Sequence, residues 1–401
     1  MLFAALANRA RLGYSNAMSK ARVAIMLPRF SRYGGVEQFG FRLAETLASK
    51  EYLVDFICAR REINAPKGVN VRKTGRPFGP RWLKMLIFAR SGEKIRKKNN
   101  YDCTISLGKT LKQDIMRVGG GPLPEFWRLS ELSYPEGPAR FFKKLRRKLN
   151  PANYLTRRIE NGQYKNAERI IAVSHFVRDR ILAANPETDP NRIRIIYNRP
   201  DLARFSPPSS QERVDAREQF RIPPGVIAIG LATSNFQLKG TAPLIKALAK
   251  LPQNCMLIVA GGRNPGKYMK LAAKLGIAER VRFLGKVDDM PSWYKAIDIF
   301  TLPSFYDACS NAVLEALASG LPTLSSASNG SSYFLEPGNV VADPGDAEEL
   351  AGVLSRLVGE ALHNAETGTR KNFAWPENIT SGIDAFAAMV TEYIEEKSSA
   401  I

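Results

Sequence analysis

The 401-residue chain predicts an α/β fold of two doubly wound parallel-sheet units, and three observations carry that reading. Short apolar runs alternate with helix-spaced segments of about 10–15 residues, the pattern of strands covered on both faces by crossover helices. The alternation occurs twice, with a Pro-rich connector before the second series, so the units join near residues 205–222. Hydrophobic residues make up 44% of the chain, enough to fill two cores.

The first series opens with RVAIMLP (Arg22–Pro28), continuously apolar as a buried strand should be. A glycine turn, SRYGGVEQ, leads into the amphipathic helix FGFRLAETLASK. YLVDFICA (Tyr52–Ala59), DCTISLG (Asp102–Gly108) and RIIAVS (Arg169–Ser174) are the next strands, and Ile193–Pro208 is a strand running into the connector. The second series begins with VIAIGLAT (Val226–Thr233), the helix APLIKALAKL and the strand CMLIVAG (Cys255–Gly261). It continues with the helix KYMKLAAKLG, the strand VRFLG (Val281–Gly285), the short helix SWYKAID and the strand IFTLP. Near the end, WPENITSGIDAFAAMVTEYIEEK reads as one amphipathic helix. There is no repeat of solenoid period and no low-complexity tract. In sheets of this kind the ligand cleft lies at the carboxyl ends of the strands.

Composition excludes several function classes. No apolar run approaches the roughly 18 residues that span a bilayer, so no transmembrane helix is expected. The apolar stretch at the start is too short for a secretion signal, and Met18 is as good a start as Met1. Four scattered cysteines (Cys58, Cys103, Cys255, Cys309) have no metal-ligand spacing and predict free thiols in a reducing cytoplasm. Only two histidines, His175 and His363, are present, so no metal site is expected.

Charge is unevenly placed. Residues 1–222 carry 44 Lys and Arg against 20 Asp and Glu, whereas residues 223–401 carry 15 against 18. The first half therefore calls for an anionic partner. Its densest stretch is FFKKLRRKL, with Lys143, Lys144, Arg146, Arg147 and Lys148 among aromatic and aliphatic residues. That mixture suits a helix lying on an anionic membrane surface. A solvated basic helix is the plainer reading, and no nucleic-acid-binding motif supports a nucleic acid partner.

The segment Pro303–Pro322, PSFYDACSNAVLEALASGLP, carries the chemistry. Asp307 and Glu315 stand eight residues apart, on either side of a small-residue turn that enters a helix. Ala308, Cys309 and Ser310 are small enough for a ligand to approach their amides at the positive end of that helix. Val313, Leu317 and Leu314 face inward at helical spacing, and Glu315 stays near the same end as Asp307. Two acceptors and a row of donors suit a polyhydroxylated, phosphorylated ligand; the plainer reading makes Asp307 a helix cap and Glu315 a solvated glutamate. Lys239 lies beyond the first strand of the second series, where an ammonium can neutralise a departing diphosphate; the plainer reading is a lysine at a helix start. AGGRNPGK, with Gly262 and Arg263, and GKVDDMP, with Val287, occupy the next two strand ends. Gly34-Gly35 is either a structural turn or a place where a ligand approaches the first helix at Gly35, GGG (Gly119–Gly121) is a loop, and His175 reads as a helix-start residue.

The order of these motifs resembles glycosyltransferase family 4, retaining enzymes of the GT-B fold with two Rossmann-like domains. GGVEQ, YNRPDLARFSP, the LKG turn, AERVRFLGKVDDMPSWYKAIDIFTLPS and DACSNAVLEALASGLP carry the resemblance. Within the family it is similar to bacterial lipopolysaccharide-core glycosyltransferases of the glucosyltransferase I type. The match is strong over Val226–Asp343 and continuous but weaker over Arg22–Pro208. The resemblance implies an acceptor-binding domain over 20–205, with 376–401 packing back on it, and a nucleotide-sugar-binding domain over 206–375. It implies that Glu315 binds ribose hydroxyls, that Asp307 holds the donor sugar, and that Lys239 binds the diphosphate. Ala308, Cys309, Ser310 and Asn311 then surround sugar or phosphate, and Gly262, Arg263, Val287 and Gly35 complete the donor site.

The implied reaction is sugar transfer, with retained anomeric configuration, from a nucleotide diphosphate sugar to a cell-envelope glycan or glycolipid. A UDP-sugar is the favoured co-substrate, and no metal or other cofactor is implied. The implied location is cytoplasmic, on the inner face of the membrane. Three departures stand out: Asp307 replaces the usual glutamate, Leu238 rather than arginine accompanies Lys239, and Leu123 or Pro124 stands where relatives often have a histidine. A glycosyltransferase-like binding protein with weakened catalysis is the alternative.

Overall fold

The computed structural model describes residues 20–75, 77–367, 370 and 372–399, so the question of Met1 or Met18 lies outside it. The chain divides into two compact units, one ending at Ile115 and taking in the chain from Phe386 onward, the other Met116–Ala385.

The first unit holds β1 (Arg22–Met26), β2 (Arg29–Phe30), β3 (Leu53–Cys58), β4 (Arg60–Arg61), β5 (Val69–Lys73) and β6 (Cys103–Ser106). Its sheet runs β5-β3-β1-β6, with every pair parallel. β2 and β4 form a two-residue parallel ladder just past the carboxyl ends of β1 and β3. The first helix starts at Gly35, earlier than the apolar spacing predicts, because Gly34 turns the chain at φ +101°. It buries Phe41, Leu43, Ala44 and Leu47. From Phe386 the last helix packs on this unit: Phe386 meets the Phe39 ring edge-on at 5.3 Å, and Tyr52 donates to Thr391 Oγ1 at 2.9 Å.

That last helix, Gly382–Ser399, begins later than predicted. The preceding Trp375–Ser381 segment cannot be helical because its backbone bonds elsewhere. The Tyr197 N–H donates to Thr380 O at 2.9 Å, and the Gly382 N–H returns to Tyr197 O at 2.8 Å.

The second unit contains β7 (Ile115–Val118, from Met116), β8 (Arg169–Ala172) and β9 (Ile193–Ile195), in the order β7-β8-β9. It also contains β10 (Ile227–Ala232), β11 (Cys255–Ala260), β12 (Val281–Gly285), β13 (Ile299–Leu302), β14 (Thr323–Ser326) and β15 (Val340–Val341). These six run β12-β11-β10-β13-β14-β15, all parallel. Chain order therefore reverses between β10 and β13, the switch point where such sheets open a crevice. Trp293, Tyr294, Phe300 and Leu257 are fully buried beside it. The expected junction near residues 205–206 falls within this unit.

One turn at the switch point depends on glycine. Gly240 sits at φ +67°, and a Cβ there would lie 2.2 Å from the backbone oxygen of Pro303. The Phe305 N–H donates to Leu238 O at 2.9 Å, so the turn after β10 is fastened to the segment after β13. Gly240→Ala would combine left-handed strain with a backbone overlap, and we expect a loss of about 2 kcal/mol or more. Urea unfolding of the full chain measures it; an unchanged midpoint would show that the turn relaxes freely.

Candidate active site

Lys239 and Asp307 meet where β10 and β13 end. The Lys239 ammonium donates to Asp307 Oδ2, and the two side chains are only 16% and 19% exposed. Solvent therefore screens the pair weakly. The Asp307 backbone is fixed on both sides, its N–H donating to Ser328 O at 3.0 Å and its carbonyl accepting from the Gly330 N–H at 2.9 Å.

The following turn is anchored by its carbonyls. Ala308 O accepts from Ser174 Oγ at 2.6 Å, Cys309 O from Asn198 Nδ2 at 3.3 Å, and Ser310 O from Ser331 Oγ at 2.9 Å. In a planar trans peptide the next N–H points opposite to each carbonyl. The amides of Cys309, Ser310 and Asn311 are thus turned away from these anchors, at the start of the helix Asn311–Ala318. Among the described residues the Cys309 and Ser310 amides find no acceptor. Ser310 caps the helix through Oγ, which accepts from the Val313 N–H at 3.4 Å, so the capping role considered for Asp307 belongs to Ser310. Cys309 is buried, and burial pushes its thiol up to about 11.

Asn198 and Arg117 brace this turn, and the sequence reading missed both. Arg117 Nη2 donates to Asn198 Oδ1 at 2.8 Å, and Asn198 Nδ2 donates to Asn311 Oδ1 at 2.9 Å as well as to Cys309 O. Burial lowers the Arg117 guanidinium to about 10. Ser174, the third missed residue, also caps the helix His175–Ala184. His175 begins that helix as predicted, with Nδ1 2.9 Å from the Tyr197 hydroxyl. Glu315 lies one turn into the helix Asn311–Ala318, with Oε2 3.1 Å from the Tyr294 hydroxyl. It is neither solvated nor an ordinary carboxylate: burial pushes it up to about 7, against the opposing effect of the Tyr294 hydrogen bond.

Lys239, Asp307, Ala308–Asn311 and Glu315 thus gather around one switch point. Gly262 and Arg263 follow β11 and Val287 follows β12, at the next two strand ends, with the Arg263 side chain exposed. Gly35 is in the first unit, and a Cβ there would meet nothing within 4 Å, so close approach does not require glycine at that position. The Gly120 carbonyl accepts from Tyr306 OH at 3.0 Å, which ties the GGG loop to the residue before Asp307. Leu123, one of the two positions considered for a missing histidine, opens a helix, and its N–H donates to Glu160 Oε2 at 2.9 Å. Among the described residues no group of three or more His, Cys, Asp or Glu could hold a metal ion.

Residues 223–360 match the family model described as Glycosyl transferases group 1, and residues 133–204 match the model described as Glycosyltransferase Family 4. Both segments are glycosyltransferase domains. The chain is 30% identical to D-inositol 3-phosphate glycosyltransferase of Salinispora tropica, over 52% of this chain and 48% of that protein. It is 31% identical to lipopolysaccharide glucosyltransferase WaaG of Escherichia coli K12, over 48% of this chain and 51% of WaaG. The chain thus spans about half the length of these curated relatives. The crystal structure of WaaG, a glycosyltransferase involved in lipopolysaccharide biosynthesis, matches with a TM-score of 0.72 at 22% identity, over 92% of this chain and 99% of that one. The fold is accordingly GT-B, with two Rossmann-like parallel sheets.

The basic segment forms the helix Pro138–Leu149, which buries none of its residues. Phe141, Phe142, Leu145 and Leu149 are exposed, and so are Lys144, Arg146 and Lys148. Arg147 departs from the surface-binding role expected for it. Its guanidinium donates to Trp127 O at 2.8 Å, Ser130 Oγ at 2.9 Å and Glu131 Oε1 at 3.1 Å, and clasps the helix to the preceding one. Lys143 lies partly over the Tyr134 ring, at 5.2 Å.

The raised Glu315 has a consequence for stability. Unfolded, this glutamate ionises around its ordinary 4.5; folded, it holds its proton to about 7. The folded state binds the extra proton, so the residue's contribution to stability falls as pH rises from 4.5 to 7 and stays low above. Glu315→Gln cannot ionise, and we expect it to melt higher than the parent at pH 8, with the difference shrinking toward pH 5. Melting curves at the two pH values test this, and a larger difference at pH 5 would contradict it.

Proposed function

We propose that this protein is a retaining hexosyltransferase that moves a sugar from a nucleotide diphosphate sugar to a cell-envelope glycan or lipopolysaccharide-core acceptor. The observation that carries the reading is Lys239 paired with Asp307 beside open, pre-oriented amides at a helix start. Each partner satisfies the other's charge in a partly buried place. The donor offers replacements for both: its diphosphate becomes the counter-charge of Lys239, and its sugar hydroxyls donate to Asp307. The turn amides add hydrogen bonds to phosphate or sugar oxygens, and Glu315 accepts from the ribose hydroxyls. A UDP-sugar is the donor we favour.

The chemistry then asks the protein to position and to stabilise charge. As the glycosidic carbon–oxygen bond breaks, negative charge develops on the diphosphate, where Lys239 and the amides already point. The acceptor hydroxyl attacks from the same face, and its proton passes to the leaving phosphate. No protein nucleophile is required. WaaG, by its name a lipopolysaccharide glucosyltransferase, supports a hexose and an envelope acceptor.

We further propose that the helix Pro138–Leu149 lies on the anionic inner face of the cytoplasmic membrane. Its apolar side chains are exposed and flanked by Lys144, Arg146 and Lys148, the composition of an interfacial helix. Among the described residues no helix is long and apolar enough to cross a membrane.

Two experiments test these readings. A panel of nucleotide sugars incubated with the protein and a cell-envelope glycan extract should show transfer from at least one. Lys239→Gln should lower kcat by about 10²–10³-fold, and Glu315→Ala should mainly weaken nucleotide binding. Binding without transfer would point to the non-catalytic alternative, and no binding at all would end the enzyme reading. For the membrane, replacing Lys144, Arg146 and Lys148 with glutamine should remove about 1 kcal/mol each from binding to phosphatidylglycerol vesicles. Unchanged binding would refute the lipid partner.

A further inference from the structure

We propose that the carboxyl edge of the first unit's sheet binds the anionic part of the acceptor, a glycan with closely spaced phosphate or carboxylate groups. This inference rests on the glycosyltransferase reading above. It starts from an arrangement that stability alone would disfavour. In the β2–β4 ladder Arg29 lies opposite Arg60, and Arg61 follows opposite Phe30. Like charges directly opposite one another destabilise a ladder.

A single carboxylate holds them. Glu62 accepts from Arg29 Nη2 at 2.7 Å and lies 2.9 Å from Arg60 Nε. The carboxylate is turned inward at 16% exposure, while the two guanidinium side chains remain 45% and 54% exposed. The outward face of the trio is therefore positive. Arg61 is oriented by an Nε bond to Ile63 O at 2.9 Å. Arg32 lies over the Phe41 ring at 4.4 Å, and Lys73 ends β5 with an exposed side chain.

Cations thus follow the carboxyl ends of β1 and β3 and terminate β5, the edge at which doubly wound sheets take their ligands. Glu37, in the first turn of the adjoining helix, is a second carboxylate within electrostatic reach of Arg29, and positive charge remains in excess. The amino-terminal edge of the same sheet is different. There Lys20 pairs with Glu51 at 3.7 Å, and the Arg22 guanidinium lies 3.6 Å from Asp55 Oδ2. At the carboxyl edge, by contrast, Arg29 and Arg60 share one carboxylate. Guanidinium groups fixed in this way match the planar, two-oxygen geometry of phosphate and carboxylate.

Calorimetry on the full chain at near-physiological salt tests this, with myo-inositol hexakisphosphate and tri-galacturonate as probes and myo-inositol as the neutral control. Nucleoside diphosphates are titrated in parallel. We expect at least one anionic probe to bind and the neutral one not to, and the better probe distinguishes phosphate from carboxylate. Replacing Arg29, Arg60 and Arg61 with glutamine should weaken the anionic probe by about tenfold or more and leave diphosphate binding intact. Replacing Lys94, Lys97 and Lys98 with glutamine removes the same charge from the helix Arg81–Lys98 and should have less than about a twofold effect. Equal losses from the two triples would overturn the site. So would a parent protein that binds diphosphates but neither anionic probe. A parent that binds no diphosphate overturns the glycosyltransferase reading and this inference with it.

Discussion

The close approach of Gly240 to Pro303 is the constraint on which the site depends. No side chain fits between the turn after β10 and the segment after β13, so the two strand ends are pressed together at the switch point of the sheet. The Phe305–Leu238 backbone bond holds them there, and Lys239 and Asp307 are brought within bonding distance as a result. Lysine has a long and flexible stem whose ordering carries an entropy cost. Backbone contacts that set its origin reduce what the ion pair alone must supply.

The anchoring of the Ala308–Ser310 carbonyls extends the same logic. Ser174, Asn198 and Ser331 come from three separate segments, and each takes one carbonyl. Individually such bonds stabilise by about 1 kcal/mol, but a buried carbonyl left unpaired would cost more. Together they leave the turn one orientation, with its amides facing away from the anchors. A ligand meeting those amides does not have to reorient them, which is the condition for effective electrostatic stabilisation of a leaving group.

Most of the sheet architecture was legible in the sequence because buried parallel strands are continuous apolar runs. VRFLG was placed without error, and β10, β11 and β13 within a residue or two. β14, TLSS, went unrecognised although it is wholly buried, since its hydroxyls find acceptors on neighbouring segments: Ser325 Oγ donates to Leu302 O and Ser326 Oγ to Ser304 O. β5, VNVRK, is too polar to stand out. The site residues that touch a ligand by family resemblance were named, whereas those that brace them were not. Asn198 lay in plain view within YNRPD, and Ser174 beside His175. Their importance comes from contacts 111 and 134 residues away in the chain, which no local pattern encodes. Arg147 shows the converse: its place in a basic run made it look like its neighbours, and only the fold distinguishes a clasp from a surface charge.

Two features of the site are unfavourable by themselves, and a third is a charge pair. Glu315 is held where ionisation is costly, two amides of a buried turn find no acceptor among the described residues, and Lys239 and Asp307 neutralise one another. The nucleotide sugar proposed above would meet each of them, with hydroxyls for the carboxylates and a diphosphate for the ammonium and amides. Destabilisation confined to the ligand's own contacts makes binding also a stabilisation of the fold, since a ligand that favours the native state adds its free energy to folding. In that setting the shorter reach of Asp307, one methylene less than glutamate, has a structural meaning. Asp307 is tethered on both backbone sides and faces Lys239 directly, so a longer carboxylate would alter the pairing as well as the distance to the sugar. In the donor complex proposed above, sugar choice and diphosphate neutralisation would be coupled through this one contact, and a change at position 307 would act on both.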